Sequence, residues 1–428
     1  MMMMMIMTKL ILTTLLIGQT FWTVRAINHE SIALAFTIAS NQFGFDLLQQ
    51  LSVKNNEQKE NILFSPLILE ISLSMIYARS QGNTKYQMEN VLNFYESPCA
   101  NNIIDAIQTI QNNLNETNWI YLNLMAINST ENSNPDYKIF MEENYQANII
   151  NMMNDMEDLK NQINQLVLPN AMINKLITTL HSFNLTSIND YDNIGDNDRK
   201  PIALINMATF QTKWLESFDQ QQTQIGYFHS WNGEKYSNIQ YMFKNGLFPH
   251  LYLPDMDADM IMIKFLNENF SFIGILPRLI EMDLNRIHRS LSSLYLYHLI
   301  EKLNQTFATE FALFLPRMNL CITYENLVDD FEEMGINDLF HPYRSNLTDD
   351  NNEKTNEWID RIYHQSQIQM NEYGIGNDDS FYDLHTMDKI IVEKRQSLPV
   401  LKFDHPFIFF INHIQSGQIL FLGEIQRL

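Results

Sequence analysis

Near its C-terminus the chain reads Leu401-Lys-Phe-Asp-His-Pro-Phe-Ile-Phe-Phe-Ile411. A run this apolar belongs in an interior, and its length suits a buried strand rather than a helix. Upstream, His364–Glu372 also has strand character, because Ile368 and Met370 alternate with Gln367, Gln369 and Asn371. Between the two lies a Gly-flanked, acidic, unpatterned segment from Gly374 to about Val400. Loops of that length inside a compact domain are uncommon and usually either functional or disordered. Any fold for this chain must therefore hang one long loop between two core strands.

The rest of the pattern sets the class. Phe43, Leu47, Leu48 and Leu51 recur at helical spacing, which predicts an amphipathic helix over residues 31–51. In Asn61-Ile-Leu-Phe-Ser-Pro66, Ser65 can cap and Pro66 can take the first position of a helix running to Ile76. That helix is apolar on most sides, so it belongs at the centre. A further helix is expected over Lys85–Leu92. Residues 101–200 alternate helix-like stretches, one over Ile163–Leu176, with Asn-rich connections and an acidic insertion at Ser187–Arg199. From Pro201 strands dominate: Ala203–Phe210, Tyr241–Phe248, Met260–Phe265, Phe272–Leu276 and Thr309–Leu315. Helices are expected at Leu279–Leu303 and Tyr324–Met334, an acidic loop at Ser345–Trp358, and a closing hairpin of Phe407–Ile411 with Ile419–Ile425. A length of 428 residues permits several domains. No repeat or Pro-, Gly- or Ser-rich linker divides the chain, so one α+β domain over residues 27–428 is expected.

Composition removes several function classes. The net charge is −22 and no basic tract occurs, which argues against nucleic acid or an anionic membrane as partner. Lys9, the apolar run Leu10–Gly18 and Val24-Arg25-Ala26 have the form of a signal peptide spanning residues 1–26, too short to cross a bilayer. Sequons at Asn115, Asn128, Asn184, Asn269, Asn304 and Asn346 suit a secreted, extracellular glycoprotein. With only Cys99 and Cys321, stability has to come from a core rather than a disulfide framework, and whether the two pair stays open. No nucleophile elbow, phosphate loop, dinucleotide fingerprint or metal-ligand spacing is present, so an enzyme, a cofactor and a metal are not expected.

The residues 401–411, together with Asn61–Pro66, Gly82-Asn-Thr-Lys-Tyr-Gln-Met88, Asn206-Met-Ala-Thr-Phe-Gln-Thr-Lys-Trp214 and Phe421-Leu-Gly-Glu-Ile425, resemble the ordered motifs of the serpins. The likeness covers essentially everything after Ala26. It implies a fold of three β-sheets and about nine helices with an exposed reactive-centre loop, here about residues 374–400. In inhibitory members a protease cleaves the loop while acylated, and the loop then enters the central sheet and distorts the protease. The resemblance also implies a sheet-opening region. Asn206 and His364 match its polar pair; Ser65 remains, although Ile68 replaces a second serine. Trp214 matches the aromatic at the entry point, and Glu372 with Arg317 an ion pair at the loop's base. The basic helix of heparin-responsive members is missing, since no Lys or Arg lies between Lys85 and Lys138.

The loop itself departs from the inhibitory pattern. Its hinge reads Gly374, Ile375, Gly376, Asn377, Asp378, Asp379, where inhibitory members carry small apolar residues. Because successive strand residues face opposite sides, insertion buries one of the two carboxylates in either register. Family spacing counted from Gly374 puts the scissile bond at Asp388–Lys389, whereas counting back from Phe403 gives Arg395–Gln396, a difference of seven residues. Two functions follow. One is a serine protease inhibitor cleaved after Arg395 by a trypsin-like target. The other is a non-inhibitory serpin that binds extracellular protease- or defence-cascade proteins or a small ligand without loop insertion. In either case the chain is expected to act as a monomer.

Overall fold

The structure, a computed structural model, describes residues 30–54, 60–95, 97, 100, 102–114, 119–127, 135–151, 200–230, 232–280, 284–349, 353–376 and 398–428. Helix α1 covers residues 30–54 and buries Phe36, Phe43, Leu47 and Leu48. Strand β1 (Ile62–Phe64) leads through Ser65, in extended conformation, into α2 (Pro66–Tyr77). Pro66 does open α2, whose missing N–H is harmless there. The Ser65 side chain makes no capping bond, contrary to expectation. All of α2 is buried, as its all-round apolar surface predicts. Helix α3 (Gly82–Val91) starts earlier than the expected Lys85, behind an extended Gln81.

The stretch read as helical alternates instead. Helix α4 (Ile103–Leu114) is followed by strand β2 (Trp119–Ile127), and α5 (Pro135–Tyr145) by β3 (Asn148–Asn151). Strands β4 (Lys200–Phe210), β5 (Thr212–Lys213), β6 (Gln224–His229), β7 (Lys235–Phe248), β8 (His250–Leu253), β9 (Ala258–Lys264) and β10 (Phe270–Pro277) follow. The expected helix over Leu279–Leu303 is two, α6 (Asn285–Ser290) and α7 (Ser293–Gln305), because Ser292 is extended and its hydroxyl caps Tyr295 N–H. Then come β11 (Thr309–Pro316) and β12 (Met318–Tyr324), so Tyr324 ends a strand and α8 begins only at Val328, running to Met334. Strand β13 (Glu357–Asn371) is much longer than its readable part, and Trp358 lies in it rather than in the acidic loop. Strands β14 (Gly374–Ile375), β15 (Val400–Lys402), β16 (Phe407–His413) and β17 (Ile419–Ile425) complete the chain.

These strands make three sheets, with eight helices among the described residues. One sheet has the order β1-β17-β16-β10-β9-β8, with the C-terminal hairpin at its centre and fully buried. A second runs β15-β11-β7-β6, and the third β3-β2-β4-β13-β14-β5, with β12 also on β13. The run 401–411 is therefore not one strand. It divides between two sheets at a corner where His405 Nε2 lies 2.7 Å from Pro277 O and Nδ1 3.1 Å from Asp404 Oδ1. Pro406 brings no N–H to either ladder.

Candidate functional site

Both ends of the long loop are anchored, in different sheets. At its exit β15 runs parallel to β11, pairing Ala312 with Val400 through Phe314 with Lys402. At its entry the chain turns after Asn371 and runs back beside itself. Gly374 pairs with Asn371 and Ile375 with Met370, and on their other side both residues pair with β5, at Lys213 and Thr212. Gly376 N–H continues the ladder to Gln369 O at 2.8 Å. The first hinge residues thus already form a strand between β13 and β5, and Ile375 is 1% exposed. Only glycine suits this turn. A Cβ on Gly374, at φ +152°, would stand 2.0 Å from Thr212 O, and one on Gly376, at φ +132°, 2.6 Å from Gln211 Cγ.

Below this point the central sheet is closed. Strands β4 and β13 pair in parallel from Lys200 with Glu357 to Thr209 with Gln367, with nothing between them. Parallel ladders are slightly weaker per residue than antiparallel ones. A strand entering here from β14 would run antiparallel to both.

At the base of the loop Glu372 and Arg317 come together. Glu372 is 1% exposed, and Arg317 Nε and Nη2 reach its Oε1 at 2.8 and 2.7 Å. Thr223 donates its hydroxyl to the same oxygen, and Gln240 Oε1 accepts from Arg317 Nη1 at 2.6 Å. Neither Thr223 nor Gln240 was singled out by the sequence. Trp214 is buried, stacks on Phe265 with centroids 4.9 Å apart, and meets Phe218 edge-on. Its indole N–H donates to Asn371 O at 2.8 Å and its backbone N–H to Tyr373 O at 2.9 Å. Trp214 therefore clips the turn that β14 depends on.

The polar pair beneath the sheet is a pair by register only. His364 and Asn206 are opposite each other on β13 and β4, but Asn206 Nδ2 donates to Asn123 Oδ1 at 3.1 Å, not to the imidazole. His364 Nε2 instead accepts from Ser65 N–H at 3.0 Å and stands 3.0 Å from Ser366 Oγ. Ser65 thus takes part through its backbone, and Ile68 contributes only apolar surface. Burial pushes the His364 pKa down to about 3, so the ring is neutral. With Nε2 accepting, the proton sits on Nδ1, which has no hydrogen-bond partner.

The remaining predicted residues are dispersed. Asn269 and Asn304 are exposed, whereas Asn346 is half-buried, with its backbone tied to Thr84 and Gln81. Cys321 is exposed. The expected signal peptide over residues 1–26, Cys99, Asn115, Asn128, Asn184, Asn377, Asp378, Asp379, Asp388, Lys389, Arg395, Gln396 and the expected helix over Ile163–Leu176 lie outside the described residues.

The family model described as Serpin (serine protease inhibitor) matches residues 38–428. The chain is 24% identical over 418 residues to intracellular coagulation inhibitor 2 of Tachypleus tridentatus, covering 94% of this chain and 92% of that protein. It is 24% identical over 397 residues to leukocyte elastase inhibitor of Homo sapiens, covering 90% and 97% respectively. Among solved structures, one titled as a tumour suppressing serpin superposes with a TM-score of 0.71 at 20% identity, over 93% of this chain and 100% of that one.

Proposed function

The chain belongs to the serpin family, and from that premise we propose that it is a secreted inhibitor of trypsin-like serine proteases with Arg395–Gln396 as its scissile bond. It is not an enzyme; in this reading it is the substrate that traps one. The observation that supports inhibition is β14. Gly374 and Ile375 already lie between β13 and β5 in the direction an inserting strand has to take. The relatives named above are called inhibitors as well. In the reaction the protease's serine oxygen bonds to the Arg395 carbonyl carbon, the peptide bond to Gln396 breaks, and the Gln396 amine leaves with a proton. The freed N-terminal arm of the loop then extends β14 between β4 and β13. That replaces one parallel ladder by two antiparallel ones. Trypsin-like specificity rests on Lys394-Arg395 preceding the bond, and secretion on the residue pattern of 1–26 and the sequons. The first relative's name speaks of an intracellular protein, so export is read here from this chain's own residue pattern and not from that relative. The partners in this reading are extracellular serine proteases of defence-type cascades, met by a monomer without heparin.

Incubation with trypsin-like proteases tests this. An SDS-stable complex joined through Arg395, abolished in Arg395→Ala, is expected. Clean cleavage that leaves the protease fully active would overturn inhibition.

One observation favours the non-inhibitory alternative. Ile375 faces the buried side of the sheet, and the strand period carries that side to positions 377 and 379. Asn377 and Asp379, not the small apolar residues of inhibitory members, would meet the interior. Melting before and after loop cleavage separates the readings: a large rise in Tm accompanies insertion, and an unchanged Tm marks a scaffold that binds its partner without inserting.

A further inference from the structure

Helix α2 is buried along its whole length, and one of its residues is an acid, Glu70, at 0% exposure. Neither of its carboxyl oxygens has a partner at full hydrogen-bond geometry among the described residues. Among the described residues Ser40 on α1 is the hydroxyl close enough to act on it; its Oγ accepts from Gln418 Nε2 at 3.2 Å, which leaves its O–H as the one weak donor toward the carboxyl. Thr37 Oγ1 on α1 and Ser74 Oγ, one turn along α2 from Glu70, are likewise buried without partners. The seam between the two helices is therefore polar but thinly paired, and it holds no cation among the described residues.

The titratable groups on the neighbouring elements are committed elsewhere. On β17, Glu424 holds His288 at 2.7 Å together with Gln426 and Ser52. On α1, Asp46 accepts from Gln42 and Asn93, and on α3 Glu89 accepts from Tyr77. Tyr121 on β2 bonds Gln111 and Gln146, and Lys200 at the start of β4 is exposed. His364 on β13 faces Ser65 and Ser366 and is neutral. Tyr145 on α5 is buried and un-ionised, its pKa pushed up by burial. No cation among the described residues reaches Glu70. A carboxylate in such a place is strongly disfavoured, whereas the neutral acid is tolerated.

We propose that Glu70 makes the native fold proton-dependent: the α1–α2 seam accommodates the neutral acid, and the native form weakens as rising pH demands its ionisation. The direction agrees with burial, which lifts the Glu70 pKa well above 4.5. An acid whose pKa is raised on folding contributes fully below its unfolded value and loses that contribution as pH climbs toward the folded value. Acid thus firms this native state and alkali loosens it, whether or not the loop inserts.

The test is urea unfolding of the full chain and of Glu70→Gln between about pH 4.5 and 8.5. The isosteric amide cannot ionise. The two proteins should coincide at the acid end and diverge upward in pH, the wild-type unfolding constant rising up to tenfold per pH unit relative to the variant. Parallel curves would overturn the proposal. Infrared difference spectra at neutral pH supply a readout independent of stability: wild type should show the C=O band of an un-ionised carboxyl group that Glu70→Gln lacks. If Glu70→Gln fails to fold, Glu70→Ala replaces it in both measurements. Absence of the band refutes the inference outright.

Discussion

His364 shows how a single buried side chain ties stability to pH. Its folded pKa of about 3 lies below the ordinary 6.5 because burial disfavours the charged ring. A base depressed on folding contributes fully above its unfolded value and loses that contribution as pH falls toward the folded one. Stability should therefore drop between about pH 6.5 and 3, by a few kcal/mol at about 1.4 kcal/mol per pKa unit. Replacing His364 by Asn, which does not titrate, should flatten the acid limb of a urea-midpoint profile; an unchanged limb would assign acid unfolding to other groups. Glu70 acts on the opposite limb, so the two together confine maximal stability to a window around weakly acidic pH. Glu372 is a second test at this scale. Removing it as Glu372→Ala strands Arg317 and Thr223 at once. Loss of a partner from a buried pair costs about 3–5 kcal/mol, and the 31% exposure of Arg317 lowers that to about 1–3 kcal/mol. Denaturant unfolding measures it, and a change below about 0.5 kcal/mol would show the pair to be idle.

At the scale of elements, legibility followed the physics of burial. Helix α2 could be read because a central helix is apolar all round and starts at a proline. Strand β2 could not, because burial of Leu122, Leu124, Met125 and Ala126 on both faces erases the two-residue period. Glu372 and Arg317 were found through their family motif, while Thr223, 149 residues from Glu372, and Gln240, 77 from Arg317, carry no local signal. The hinge strand was hidden for another reason. Gly374 and Gly376 look like loop residues, yet their positive φ is what lets β14 fold back onto β13. Gly374→Ala should expel β14, since the added Cβ meets backbone at Thr212 and Lys213 rather than a side chain that can swing away. Hydrogen exchange at the Gly376 amide and the fluorescence of Trp214 should both report the release. Retained protection at Gly376 would mean that the turn tolerates the strain.

For the whole molecule the decisive question is whether the central sheet opens to a strand that carries acids. The register of β14 answers more than the loop's composition does. Met370 pairs with Ile375 and Asn371 with Gly374, so the same ladder extended by insertion sets Asp378 against Gln367 and Asp379 against Ser366. Ser366 lies on the face of β13 that carries His364 and looks toward α2. The burden of insertion therefore falls on Asp379, which has to desolvate or take up a proton at a cost on the order of several kcal/mol. Asp378 points to the opposite face, against the neutral amide of Gln367, which is itself buried, and should matter less than Asp379. Cleaving the loop with a trypsin-like protease and comparing Tm before and after should show the largest gain for Asp379→Ala. Asp378→Ala should gain less than Asp379→Ala, and wild type itself should gain more at low pH, where Asp379 is protonated. Equal gains for the two variants would mean that insertion abandons the β14 register. No gain in any of them would mean that β4 and β13 stay zipped and that this serpin works with its loop outside the sheet.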